Sequence, residues 1–312
     1  LMIRRPPRST RCTSRRQRQM CIRDSVCDFQ DMDMSEINKV EMWWYALCVV
    51  SVLNIGAWFL SYRFLRQNIH RNVPEIIDGR ITIAWLSLVY VLVCAFRSFL
   101  PRIDIERIVL VDHWLSSVLI GRTLTTFAEI FFIAQCALLL REAGRISDRR
   151  FVVLVSMVLI PVIIIAEGFS WYASLTTHYL ASVFEESLWA LSGFLFLTGL
   201  VSLWPNANRA ERLSLTMFIL LASCFLAFMI IVDVPMYWER YLLDAEAGKS
   251  YLSLGQGLQD LSSNYRVSFD LSEWRNEIPW MTLYFTVAVW VSIYLPHAIV
   301  FSNRKEAHDS GI

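Results

Sequence analysis

Arg97, Arg122, Thr126, Glu129, Glu167, Glu185, Glu186 and Asp233 lie inside or at the ends of long apolar runs, where water is scarce. An ionisable group at the centre of a membrane helix costs at least about 2.5–3.5 kcal/mol, so such groups turn toward a protein or water interior and carry a role there. Arg122, Thr126 and Glu129 stand at i, i+4 and i+7, which at about 100° per residue puts them within roughly 60° of one another on one helical stripe. Arg122 and Glu129 are about 10 Å apart along that axis, too far to touch, so each needs a partner on another helix. Adjacent Glu185 and Glu186 project about 100° apart, so one of them points inward.

These eight residues hold more carboxyls than guanidiniums. An unpaired buried charge is costly and a paired, hydrogen-bonded one tolerable, so the surplus calls for protonation, a bound cation or a cationic ligand. The residue types thus point to a polar, carboxylate-rich cavity that binds or moves a small ligand, a cation or a proton. The competing reading is an ion-pair network with no ligand. Charges within two turns of a helix end reach water by extending their side chains, which Arg97, Glu167, Glu185, Glu186 and Asp233 can all do.

The elements that must position these residues are helices. Crossing about 30 Å of hydrocarbon takes about 20 helical residues, and only helices or closed barrels satisfy the backbone there. Seven stretches qualify, at about 43–62, 81–100, 115–140, 151–170, 180–203, 214–234 and 280–301, and none alternates like a barrel strand. The expected fold is an all-α polytopic bundle of seven transmembrane helices over 43–303. Arg63, Arg66, Arg71 and Arg80 follow the first span, Arg141, Arg145, Arg149 and Arg150 the third, Arg209 and Arg212 the fifth, and Arg304 and Lys305 the last. Such residues collect on the cytoplasmic side. The amino end, with an acidic tail over 26–42, is therefore expected outside and the carboxyl end, with a tail over 304–312, in the cytoplasm. This orientation puts Glu129 near mid-membrane and the other charges near the outer ends of their spans, around a cavity opening to the outer leaflet.

The first 25 residues stand apart, with eight arginines, one acid and no apolar period. The run RRPPRSTRCTSRRQRQMCIRDS resembles the conceptual translation of sequencing-library adapter, which implies a non-native segment and a natural start near Met32 or Met34. Without it, 21 basic residues face 27 acidic ones and the net charge falls from +1 to −6, so no nucleic-acid partner is expected. For the body of the chain, 55% hydrophobic residues and a mean hydropathy of +0.44 make the lipid bilayer the solvent, in a plasma or inner membrane. Cys27, Cys48, Cys94, Cys136 and Cys224 lack paired spacing and are expected as small buried hydrophobes.

Other residues carry weaker signals. His113 beside Asp112, and His178, lie near the same end, yet without HxxxH, ExxH or HExxH spacing no metal site is expected. PRIDIERIVLVDHW (101–114) reads as a solvated helix start. Asn54 suits interhelical bonding, Pro161 and Pro296 suit kinks, and His297 suits the interface. The outer loop 235–279, with seven acids against four bases and many aromatic residues, suits a cap over the outer mouth or, alternatively, an acidic connector.

Seven helices invite comparison with rhodopsin-like proteins, but a retinal Schiff base needs a lysine in the bundle. Lys39, Lys249 and Lys305 all lie outside the spans, which excludes retinal. The third span ends in ALLLREAG without a DRY-like triplet and the seventh lacks NPxxY, and the scattered histidines do not match ceramidase-type hydrolases. No catalytic nucleophile and no cofactor is identified. Binding or transport of a small ligand, cation or proton at the outer face ranks first. A structural or accessory subunit or a ligand sensor, alone or with an oligomeric or membrane partner, ranks second, and an intramembrane lipid-acting enzyme last.

Overall fold

A computed structural model of the chain describes residues 34–68 and 74–298. The adapter-like segment, Asp28, Asp31, Asp33, Cys27, Arg71 and the tail with Arg304 and Lys305 lie outside the described residues.

Seven helices are long and apolar enough to cross a membrane, and they make this a multi-pass membrane protein. We number them as spans one to seven: Lys39–Gln67, Gly79–Phe99, Val118–Ile146, Arg150–Thr176, Tyr179–Asn206, Glu211–Glu246 and Glu277–His297. The first helix starts at Met34, so part of the expected acidic tail extends it. Span six runs on to Glu246, well past the expected end, through a π-helical turn at Met229–Asp233. Outward faces are apolar, with Leu213 and Ile231 78% and 72% exposed, as suits side chains that meet lipid.

One end of the bundle is covered, and we call it the capped end. There the 101–114 segment is no helix start but a hairpin: β1 (Arg102–Ile103) pairs antiparallel with β2 (Ile108–Val109), and Arg102 and Arg107 are buried rather than solvated. Strand covers only Arg102–Ile103 and Ile108–Val109, and Asp104 to Arg107 form the turn between them. Arg107 turns the hairpin at φ 58 and is held there by Asp260 at 2.7 Å, Ser174 O at 2.7 Å and Asp104 O. Several bonds of this kind are what let a non-glycine residue occupy that strained region.

The connection after Glu246 folds onto the hairpin. Ser253 and Gln256 form a reciprocal capping box that starts the helix Leu254–Ser263. Gly257 of that helix sits so close to span four that a Cβ would lie 2.0 Å from Leu175 O. β3 (Arg266–Val267) then pairs parallel with β2. Trp274 is fully buried, donates to Ser268 O at 2.9 Å and packs on Trp43 of span one with ring centroids 5.8 Å apart.

Packing divides the bundle. Ile133, Leu140, Val152, Leu159, Ile163, Leu200, Leu203, Leu215 and Phe218 build an apolar core in the half away from the cap. A second core, with Leu47, Trp58, Tyr90, Trp274, Met281 and Phe285, joins spans one, two and seven to the hairpin. Buried polar contacts set helix register. Asn54 bridges spans one and seven as expected, donating to Phe285 O at 2.8 Å and accepting from Trp290 at 2.7 Å. Ser292 lies 2.9 Å from Ser87 and 2.8 Å from Gln135; one hydroxyl donates once, so Ser87 donates to Ser292 and Ser292 to Gln135.

Candidate functional site

Between the apolar half and the cap lies a charged cluster centred on Arg122. Its guanidinium is 3.4 Å from Asp104, 3.8 Å from Glu129, 3.9 Å from Glu167 and 3.9 Å from Glu185, so one cation joins the hairpin to spans three, four and five. Arg122 and Glu129 do meet, contrary to the sequence reading, because the long arginine side chain lies along the helix and closes the axial gap. Thr126, between them on the stripe, donates to Glu167 at 2.5 Å and accepts from Trp171 at 3.0 Å. All three side chains of the stripe thus point into the bundle.

The hairpin contributes residues that the sequence reading left out. Arg102 donates to Asp104 at 2.9 Å while its guanidinium rests on Gly121, where a Cβ would lie 1.3 Å from Cζ. Burial is the largest influence on Asp104 and would push its carboxyl up, but the guanidiniums of Arg102, Arg122 and Arg97 outweigh it and hold the group below the ordinary carboxylate value. Burial, with Arg97 and Arg122 nearby, lowers Arg102 to about 10 despite Asp104, and it stays charged at neutral pH. The usable signal for both residues was the density of opposite charges, Arg102, Asp104, Glu106 and Arg107, in one short connection.

Arg97 does not form a direct ion pair in this cluster among the described residues. It is 5% exposed and its guanidinium faces the rings of Trp280, Tyr284 and Phe285 at 5.8, 5.9 and 5.7 Å, a cation–π setting. It neutralises the carboxyls through the field rather than by contact.

The contacts to Arg122 are long compared with the about 2.7–2.9 Å of a strong charge-assisted bond. A flat guanidinium cannot aim good bonds at four carboxyls from different directions. Glu129 Oε2 and Glu167 Oε1 are consequently buried without a donor, and the carboxyls of these two residues lie within hydrogen-bonding reach of each other. A bond between two carboxyl groups needs a proton on one of them.

Glu186 and Asp233 fall outside this cluster and meet each other instead. A third group surrounds Arg240, which pairs with Glu106 at 3.0 Å and Glu277 at 3.4 Å, while Tyr179 donates to Glu106 at 2.8 Å. The eight sequence candidates are therefore divided: Arg122, Thr126, Glu129, Glu167 and Glu185 together, Arg97 beside them, Glu186 and Asp233 apart. Two histidines at the capped end have local structural roles. His113 and His178 accept from Leu115 N and Leu180 N, each at 3.2 Å, and His178 stacks on Tyr251 with centroids 3.9 Å apart. No family model, curated protein or solved structure matches the chain.

Proposed function

We propose that this multi-pass membrane protein binds a proton at the Arg122 cluster, reached from outside the membrane, with its amino end outside and its carboxyl end in the cytoplasm. The observation that carries this reading is the imbalance at the cluster. Arg97, Arg102 and Arg122 serve Asp104, Glu129, Glu167 and Glu185, and two of those carboxyls lie against each other with oxygens that have no donor. One proton between Glu129 and Glu167 balances the charges and supplies the missing donor.

Two features support access from the capped side. The side chains of Arg122, Glu129 and Glu185 remain 11, 7 and 10% exposed, so they are not fully enclosed by protein. Beyond them the core is built mainly of apolar side chains, which favours a site open to one side over a continuous channel. The orientation rests on arginines in the short connections away from the cap, Arg149, Arg150, Arg209 and Arg212 among them. The second reading is a structural lock, favoured by the way Arg122 joins four segments.

Glu129→Gln separates the two. We expect the variant to assemble in the membrane, because the amide can donate to Glu167, and to lose one proton per chain of the pH-dependent uptake measured in nanodiscs. Unchanged uptake in a folded Glu129→Gln protein would leave only the lock.

A further inference from the structure

Asp233 closes the π-helical turn of span six, where Val234 N–H bonds to Met229 O, five residues back. The cause is two residues further on. Pro235 has no N–H to offer the Ile231 carbonyl, and in a regular helix its ring would collide with that group. Widening the preceding turn relieves the collision, and the extra residue rotates the remainder of the helix by about 100° relative to an uninterrupted α-helix. Ile231 and Val232 are 72% and 48% exposed, whereas Asp233, next in sequence, is 3% exposed.

Asp233 is thereby turned toward Glu186 of span five, and the two carboxyls come within hydrogen-bonding reach. Asp233 Oδ2 is buried without a donor. The groups that face the pair are Glu185 beside Glu186, Glu129 from span three, Tyr237 and Arg240 further along span six, and Glu277 from span seven. Arg240 is already engaged by Glu106 and Glu277. Two touching carboxylates in a medium of low dielectric cannot both keep their charge without a cation of their own. A metal ion needs more ligands, and among the described residues no three His, Cys, Asp or Glu side chains are arranged to hold one. A proton needs only the two facing oxygens.

We propose that Glu186 and Asp233 form a second proton-binding site, a carboxyl pair bridging spans five and six, separate from the Arg122 cluster. It rests on the π-helical turn and the Asp233 oxygen without a donor, and it stands whether or not the Arg122 cluster binds a proton.

The test is infrared spectroscopy of the full-length protein in nanodiscs at neutral pH, reading the carbonyl bands of protonated carboxyl groups. Asp233→Asn and Glu186→Gln should each remove one band that Glu129→Gln leaves in place, and each should lower proton uptake after a pH jump by one proton per chain. Spectra identical to the native protein in both variants would overturn the proposal, as would a single band removed equally by Glu129→Gln. Should Asp233→Asn fail to fold, Glu186→Gln decides alone, since its change is on the partly buried member of the pair. A spectrum unchanged in Glu129→Gln but short of one band in Asp233→Asn sinks the Arg122 reading and leaves this one intact.

Discussion

The guanidinium of Arg102 lies against the Cα of Gly121, so near that a methyl group there would occupy the space of its Cζ atom. Arg102 is 1% exposed, and its Nε is committed to Asp104. Gly121→Ala must therefore expel a buried charge and leave Asp104 short of a partner. We expect a loss of about 3 kcal/mol or more, the scale of breaking a buried ion pair. Gly56→Ala, at a position with nothing within 4 Å, is the control and should be neutral or slightly stabilising. Thermal unfolding of the two purified variants in detergent makes the comparison; equal midpoints would show that Arg102 moves aside freely.

Arg122 carries a heavier load. Arg122→Gln leaves carboxyls on the hairpin and on spans three, four and five without their common cation, and should cost about 3–5 kcal/mol. Adding Glu185→Gln removes one of those charges and should restore part of the loss, with a coupling of about 0.5–3 kcal/mol in a double-mutant cycle read by unfolding. Strict additivity would mean that the 3.9 Å contact between them is incidental.

Acid should act on the hairpin first through Asp104. Its folded carboxyl titrates below the ordinary value, so its stabilising contribution is complete above the unfolded value of about 3.9 and is lost as pH falls through the lower folded one. Asp104→Asn should thus be less stable than the native protein near neutrality, and the two stability curves should converge at the acid end. Parallel curves down to the lowest accessible pH would contradict the assignment.

Gly257 holds the cap to span four. Gly257→Ala sets a Cβ against the Leu175 carbonyl, which as backbone cannot step aside, so the helix Leu254–Ser263 must lift. Limited proteolysis should then cut within 247–276 at least tenfold faster, while the spans stay protected. An unchanged cleavage rate would show that the helix shifts without undocking.

Much of this architecture is legible in the chain because lipid makes a simple demand. Seven apolar runs of sufficient length report seven spans, and the 3.6-residue repeat is enough to group Arg122, Thr126 and Glu129. The reading fails where regular geometry fails. Arg102 and Asp104 come from a hairpin whose strands are two residues each, too short for periodicity to stand out against neighbouring helices. Asp233 joins Glu186 instead of Arg122 because a π-helical turn resets the register, which a uniform 100° step cannot anticipate. The partners of Arg107, 67 and 153 residues away in sequence, depend on tertiary folding alone.

The division of the bundle into a charged half and an apolar half has an electrical consequence. Glu129 lies eleven residues into span three from Val118, about 16 Å along a helix of 29 residues, and so toward the middle of about 30 Å of hydrocarbon when the span is centred in it. A full crossing is worth about 2.3 kcal/mol per unit charge per 100 mV, so a proton that travels from the cap to Glu129 gains or loses about 1 kcal/mol for each 100 mV across the membrane. On the proposed reading, occupancy of the Arg122 cluster should respond to voltage as well as to acidity.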